Sequence, residues 1–365
     1  MTKMRLWIAR LFAAKVDQVA IDNILKNCVF GNDGDVVVVV NSRFFSPFTI
    51  AKKRTAITQL LQVIGSIGAR CAEKKLSCSI AFKEALDETI TGKVVFAHHT
   101  HNGMFSRAFI SKNEVFHFKS GDLPNTLTID PNGFAGWSTI SSASVSDLVN
   151  NQPSFNEVEA FFNKKSLEIK QSNHSKYQQR GIQEAKKLPE RFVFVALQTV
   201  GDIVQQNALI DIFTMLDTTV DSFSNTDVSV LIKRHPKCRN AKMKAAITRV
   251  VENNSNVFET GQSIHVLLNQ AEALYTVNSG VGSEAMIYNI PIYCFGRSDY
   301  GAIAHVLDDV ETAKSMITCP EPKVSYEELV RFHYFYRKEF QISSDDALNA
   351  KIERIITGKE GSQHA

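Results

Sequence analysis

The apolar positions fall into short solid runs separated by longer segments with helical spacing. Residues 35–41 hold five consecutive valines between turn formers, Gly31 to Gly34 on one side and Asn41-Ser42 on the other. A short β-branched run with such boundaries predicts a strand buried on both faces, as in a parallel sheet. Next, Ile57, Leu60, Leu61, Ile64 and Ile67 line one face of a helix over 55–68. Residues 78–82 and 93–97 predict further strands. The rhythm breaks at 150–189, which is rich in Asn, Gln, Ser and Lys and predicts polar helices from about Phe155. Alternation then resumes. Strands are expected at 191–197, 228–233, 257–258, 273–277 and 291–295. Helices are expected at 207–216, 241–252, 263–270, 282–288 and 326–340.

Strand–helix alternation on both sides of a polar stretch implies an α/β protein with two Rossmann-like domains. Two such domains facing across a cleft make the GT-B arrangement. The expected boundaries are 1–165 and 166–325, with 326–365 as C-terminal helices that cross back. A length of 365 residues suits two domains.

Charge and cysteines narrow the class. With 41 Lys+Arg against 38 Asp+Glu, the net charge of +3 lacks the basic excess of a dedicated nucleic-acid binder. No window reaches the ~18 uninterrupted apolar residues of a spanning helix. Near the start, Arg10 and Lys15 interrupt what would be the apolar core of a signal peptide. Met4, Trp7, Ile8, Leu11 and Phe12 instead mark an amphipathic helix. It either packs on its own domain or touches an anionic membrane surface. None of the six cysteines forms a Cys-x-x-Cys pair, so reduced, mostly buried thiols in a cytoplasmic protein are expected.

Ligands in such sheets bind beyond the carboxyl ends of the strands. Gln198 and Asp202 follow the strand at 191–197, and Gly201 between them permits a tight turn. Asp202 reads equally as a reactive carboxylate and as a helix N-cap. Lys233, Arg234, His235 and Pro236 follow the next strand, a cation cluster suited to phosphate or to a solvated loop. Ser279, Gly280, Gly282, Ser283 and Glu284 open a helix after 273–277. Small residues there admit an anion to backbone N–H groups, and Glu284 suits ribose hydroxyls. The segment lacks the Gly-Lys-Ser/Thr ending of a P-loop. Arg297 aims a further cation at the same edge. In the first half, His98, His99 and His101 follow a strand without the acidic partners of a metal site, so no metal is expected and substrate contact is preferred. Asp130, Trp137 and Ser138 lie in a turn-rich stretch, where Trp137 suits a sugar ring or simple packing.

Together, Lys233 to Pro236, the Thr-x-x-Ser-x-x-Gly-x-Glu-Ala pattern from Thr276 to Ala285, and Pro291 to Arg297 resemble the bacterial retaining β-Kdo glycosyltransferases of capsule and O-antigen biosynthesis. Gln198 to Asp202 resembles their Gln-x-x-x-Asp segment, although some relatives carry a more acidic version. The resemblance implies CMP-Kdo as donor, no metal, and a covalent Kdo intermediate on Asp202, with Gln198 and His235 assisting. It implies donor contacts from Lys233, Arg234, Pro236, Ser279, Gly280, Gly282, Ser283, Glu284 and Arg297. His99, His101, Asp130, Trp137 and Ser138 then face a glycan or lipid-linked oligosaccharide acceptor at the cytoplasmic face of the inner membrane. Two rivals stay open: a CDP-alditol phosphotransferase of teichoic-acid type, and a non-catalytic nucleotide- or glycan-binding module.

Overall fold

The computed structural model describes residues 15–45, 55–173, 175–176 and 187–359. The amphipathic positions from Met4 to Phe12 lie outside them. Packing divides the chain into two units, residues 1–134 with 340–365, and residues 135–339.

The first unit contains β1 (Cys28–Phe30), β2 (Val36–Val40), β3 (Cys78–Phe82), β4 (Val94–His98), β5 (Glu114–Ser120) and β6 (Leu127–Asp130). Their order is β1-β3-β2-β4-β5-β6, parallel except for β6, which runs antiparallel to β5. All five valines of β2 are buried. The two-residue period of a strand divides them: Val36, Val38 and Val40 enter one core cluster, Val37 and Val39 another. The first cluster takes in helices Lys15–Asn27 and Thr55–Glu73, with Ile21, Ile24, Leu60 and Ile64 fully buried. Because β2→β3 runs one way and β4 lies on the other side of β2, the chain changes direction between β2 and β4.

In the second unit, β7 (Phe192–Ala196), β8 (Ser229–Lys233), β9 (Val257–Glu259), β10 (Leu274–Thr276), β11 (Ile292–Cys294) and β12 (His305–Val306) form one parallel sheet. The order β9-β8-β7-β10-β11-β12 is the 3-2-1-4-5-6 order of a dinucleotide-binding sheet. Its direction changes between β7 and β10. Helix Ile212–Phe223 starts later than the pattern suggested, because the Asp211 carboxylate caps the N–H groups of Phe213 and Thr214.

The boundary expected at 165 differs from the packing. Helix Phe155–Ser172 buries Val158 and Phe162 against Val330 of helix Tyr326–Phe335, so both helices belong to the second unit. After a π-helical turn over Tyr336–Phe340, the chain returns to the first unit. There β13 (Gln341–Ile342) pairs antiparallel with β6, and helix Asp345–Ile356 adds Leu348, Ile352 and Ile355 to the core. Five of the six thiols are buried, and Cys319 is exposed. Among the described residues no helix is long and apolar enough to cross a membrane.

Candidate functional site

At the direction change of the second sheet, Gln198 and Asn278 face one another across the exits of β7 and β10. The Gln198 amide donates to Asn278 Oδ1 at 2.8 Å, and the Asn278 backbone N–H donates to Gln198 Oε1 at 3.2 Å. Both residues are buried, so Gln198 is a clasp within the site. Asn278 Nδ2 also donates to the carbonyls of Val204 at 2.9 Å and Arg297 at 3.1 Å. Asn278 was not singled out from the sequence. Its signal was an amide at a strand exit that also carries the Ser-Gly turn.

Gly201 holds φ +83°, the left-handed region, and turns the chain so that Asp202 opens the helical turn Ile203–Asn207. Asp202 is exposed, and its Oδ1 accepts the Val204 N–H at 3.2 Å. The cap reading of Asp202 therefore holds, and no partner for Oδ2 is found among the described residues. Arg297 is likewise exposed, and its guanidinium has no partner among the described residues. Its backbone N–H donates to Asn207 O at 2.9 Å. The Trp137 loop joins them, for a Cβ on Gly136 would meet Arg297 O at 2.5 Å and Asn207 Cγ at 2.7 Å. Trp137 and Ser138 thus belong to the second unit, not to the acceptor domain expected for them. The Ser138 hydroxyl donates to Ala135 O at 2.8 Å.

His235 is half-buried. The Lys237 backbone N–H donates to its Nδ1 at 3.1 Å, and Thr199 Oγ1 lies 3.0 Å from the same nitrogen. An N–H can only donate, so the imidazole proton sits on Nε2. Burial lowers the pKa of His235; the Lys237 and Lys176 charges lower it further, while the Asp202 carboxylate opposes them. The ring is therefore neutral at pH 7.

The other cations of this loop turn elsewhere. Lys233 Nζ donates to the carbonyl of Gln262, and Arg234 pairs with Glu259 at 3.4 Å. Pro236 is exposed and ends the run.

The small-residue segment is also partly structural. Gly280 is exposed, and a Cβ there would meet nothing within 4 Å. Gly282 is different: a Cβ would meet the Tyr300 ring at 2.2 Å. Tyr300 is buried, and its hydroxyl donates to Ser279 O. Ser279 Oγ accepts the Val281 N–H at 3.3 Å, and Ser283 Oγ donates to Gly280 O at 2.7 Å. Glu284 is buried, accepting from Ser175 Oγ at 2.9 Å, with His265 Nε2 at 3.7 Å. His265 Nδ1 in turn lies 2.9 Å from the Tyr288 hydroxyl. Gly282 and Ser283 thus face the fold's own groups, where the sequence aimed them at a ligand.

The carboxyl edge of the first sheet carries a basic or imidazole group beyond each of four strands: Arg43 after β2, Lys83 after β3, His98 and His99 at β4, and Lys119 near the end of β5. Arg43 lies 4.8 Å from the centre of the Phe44 ring, Lys83 5.6 Å from Phe105 and Lys119 4.4 Å from Phe134. His99 has φ +55° and stacks on Phe134 at 5.0 Å, so the extended geometry expected for His98 and His99 ends at His98. Burial pushes His98 down to about 3, with His99 and Arg43 adding to it. His101 is buried, and its pKa is lowered by burial and by Lys83. Asp130 is buried, its Oδ1 accepting from the N–H groups of Asn132 and Gly133 at 2.8 and 3.0 Å. No group of three or more metal-ligating side chains is found among the described residues.

His117, which no local sequence pattern marks, sits on β5 opposite Asp130. Its Nδ1 is 2.8 Å from Thr100 Oγ1, and its Nε2 is 2.8 Å from Asn102 Oδ1. Burial, then His101 and Lys83, push His117 to about 3. A histidine with a depressed folded pKa stabilises fully above its unfolded value, near 6.5. That contribution is lost as pH falls from about 6.5 toward 3. At pH 4 the loss at His117 is about 3 kcal/mol. Replacing His117 by Gln, which keeps a donor and an acceptor, should flatten the fall of Tm between pH 6.5 and 4. An unchanged slope would refute that account.

Two solved structures, both of Thermosulfurimonas dismutans KpsC, share the fold. The beta Kdo 2,4 transferase matches with TM-score 0.52 and 17% identity, covering 87% of this chain and 97% of its own. The beta Kdo 2,7 transferase matches with TM-score 0.53 and 13% identity, covering 89% and 99%. The fold is thus α/β and GT-B-like, with two Rossmann-like units. No curated protein matches the sequence. Residues 150–328, which include every strand exit described for the second sheet, match the family model of the capsule polysaccharide biosynthesis proteins.

Proposed function

We propose that the protein is a retaining glycosyltransferase that moves Kdo from CMP-Kdo to a glycan or lipid-linked acceptor in capsule polysaccharide synthesis. One observation carries the reading: Asn278 ties the Asp202 turn and the Arg297 exit together at the direction change between β7 and β10. This is where sheets of this order hold nucleotides, and it exposes one carboxylate and one cation.

In the first step an Asp202 carboxylate oxygen bonds to the anomeric carbon. The bond from that carbon to the phosphate oxygen breaks, and CMP leaves with the electron pair. Arg297 and the His235 Nε2–H stabilise the phosphate charge, a role a metal fills in other transferases. In the second step an acceptor hydroxyl oxygen bonds to the same carbon and gives its proton to water, while the bond from that carbon to the Asp202 oxygen breaks and its electron pair restores the carboxylate. Two inversions give net retention. Arg43, Lys83 and Lys119 make the first sheet's edge suit an acceptor with a negatively charged group. A lipid-linked acceptor would place the enzyme at the cytoplasmic face of the inner membrane.

The test is CMP-Kdo made in situ, with EDTA present, together with calorimetric titration of CMP. The wild type is expected to bind CMP and release it on turnover. Arg297→Ala should weaken CMP about tenfold, the worth of one charge-assisted contact. Neither binding nor turnover by the wild type would overturn the reading. Turnover of a CDP-alditol in place of CMP-Kdo would favour phosphotransfer, with His235 as the essential group.

A further inference from the structure

We propose that Asn278 is the positioning residue of the second unit: it fixes the spacing between Asp202 and Arg297 without touching the substrate. The inference rests on the donor-site reading above for its kinetic consequence, and on hydrogen bonds alone for its structural one.

Asn278 is buried at the exit of β10. Its Oδ1 accepts from Gln198, its two Nδ2 hydrogens serve Val204 O and Arg297 O, and its backbone N–H returns to Gln198 Oε1. Two segments distant in sequence, 198–204 and the exit at Arg297, are thereby gripped by one short side chain. Val204 follows Asp202 by two residues, and the Asp202 carboxylate caps the same turn. The carbonyl of Arg297 is the other anchor, so the backbone that carries the cation is gripped directly. Val204 O and Arg297 O are both electronegative, and a group with two donors is needed to bring them together. Asp at this position would aim charge at two carbonyl oxygens, and Ala would leave both without that donor.

Two readouts on the full-length protein decide the proposal. In Asn278→Ala, amide hydrogen exchange in peptides covering 199–208 and 295–299 is expected to rise at least ~10-fold. Peptides of β8 serve as the control and should stay unchanged. Unchanged exchange at 199–208 and 295–299, or a uniform rise across the unit, would overturn the clamp. In kinetics, kcat is expected to fall ~10²-fold, the cost of a displacement near 1 Å, with KM for the donor within about threefold. An unchanged kcat, or a loss confined to KM, would overturn the positioning role. If Asn278→Ala fails to fold, Asn278→Ser keeps one donor and carries both measurements. If the wild type shows no turnover, the donor-site reading falls, and exchange still decides whether the clamp exists.

Discussion

Replacing Asp202 by Asn is expected to lower sugar transfer at least ~10³-fold while CMP affinity stays within about threefold. Asn is as good an N-cap as Asp, so the bond from Val204 N–H to the side-chain oxygen is kept and the turn Ile203–Asn207 stays in place. What is lost is the negative, nucleophilic oxygen. The check is initial rate with CMP-Kdo, alongside intact mass after a brief incubation with donor. The wild type should gain the mass of one Kdo residue, and Asp202→Asn should not. A variant that keeps wild-type rates would remove Asp202 from the chemistry and leave it as a cap alone. His235→Asn then becomes the informative change, since a phosphotransferase needs the imidazole and not the carboxylate.

A methyl group at Gly282 should have the largest effect on stability. The added Cβ would meet Tyr300 Cε2 and Cζ at 2.2 Å, far inside van der Waals contact. Tyr300 cannot swing into solvent, because its ring is buried and its hydroxyl is held by Ser279 O. Overpacking costs about 1–3 kcal/mol, and the broken buried hydrogen bond adds about 1–2 more. Together they are expected to lower Tm by about 10 °C. Gly280→Ala, two residues earlier, is the matched control. Its Cβ meets nothing within 4 Å, and its change in Tm should lie within about 1 °C. Equal losses at both positions would show that the segment fails for lack of glycine flexibility, independent of the Tyr300 ring.

Those two glycines also show what the sequence could and could not convey. A glycine signals that something approaches the backbone closely, and the signal is the same for a phosphate and for a tyrosine ring. Gly280 remains open to a ligand while Gly282 is filled by Tyr300, a residue eighteen positions away that only the fold brings near. Lys233 shows a similar limit. Its charge was legible, but its long stem reaches the carbonyl of Gln262, and no local pattern marks that partner. By contrast, the buried strands were legible because burial on both faces leaves a continuous apolar run. Val36 to Val40 and Phe192 to Ala196 are buried throughout, as their composition required. β5 and β6 are hard to read because buried polar groups interrupt their apolar pattern: the partners of His117, Thr100 and Asn102, lie well before it in the chain, and Asp130 is satisfied by the turn that follows it. The direction change between β7 and β10 puts the turn with Gln198 and Asp202 beside Asn278, and Arg297, which follows β11, joins them through its carbonyl's bond with Asn278.

The return of the chain to its first unit has a consequence for synthesis on the ribosome. Residues 135–339 form an uninterrupted unit, so all of its sheet is available once that stretch has emerged. The first unit must wait longer, although it is translated earlier. Its outer strand Gln341–Ile342 and the helix carrying Leu348, Ile352 and Ile355 leave the ribosome after the entire second unit. During that interval the apolar face of helix Thr55–Glu73 lacks its final cover, and the β6 edge lacks its partner. The order of maturation is therefore the reverse of the order of translation, and the nascent first unit is the part most in need of a chaperone.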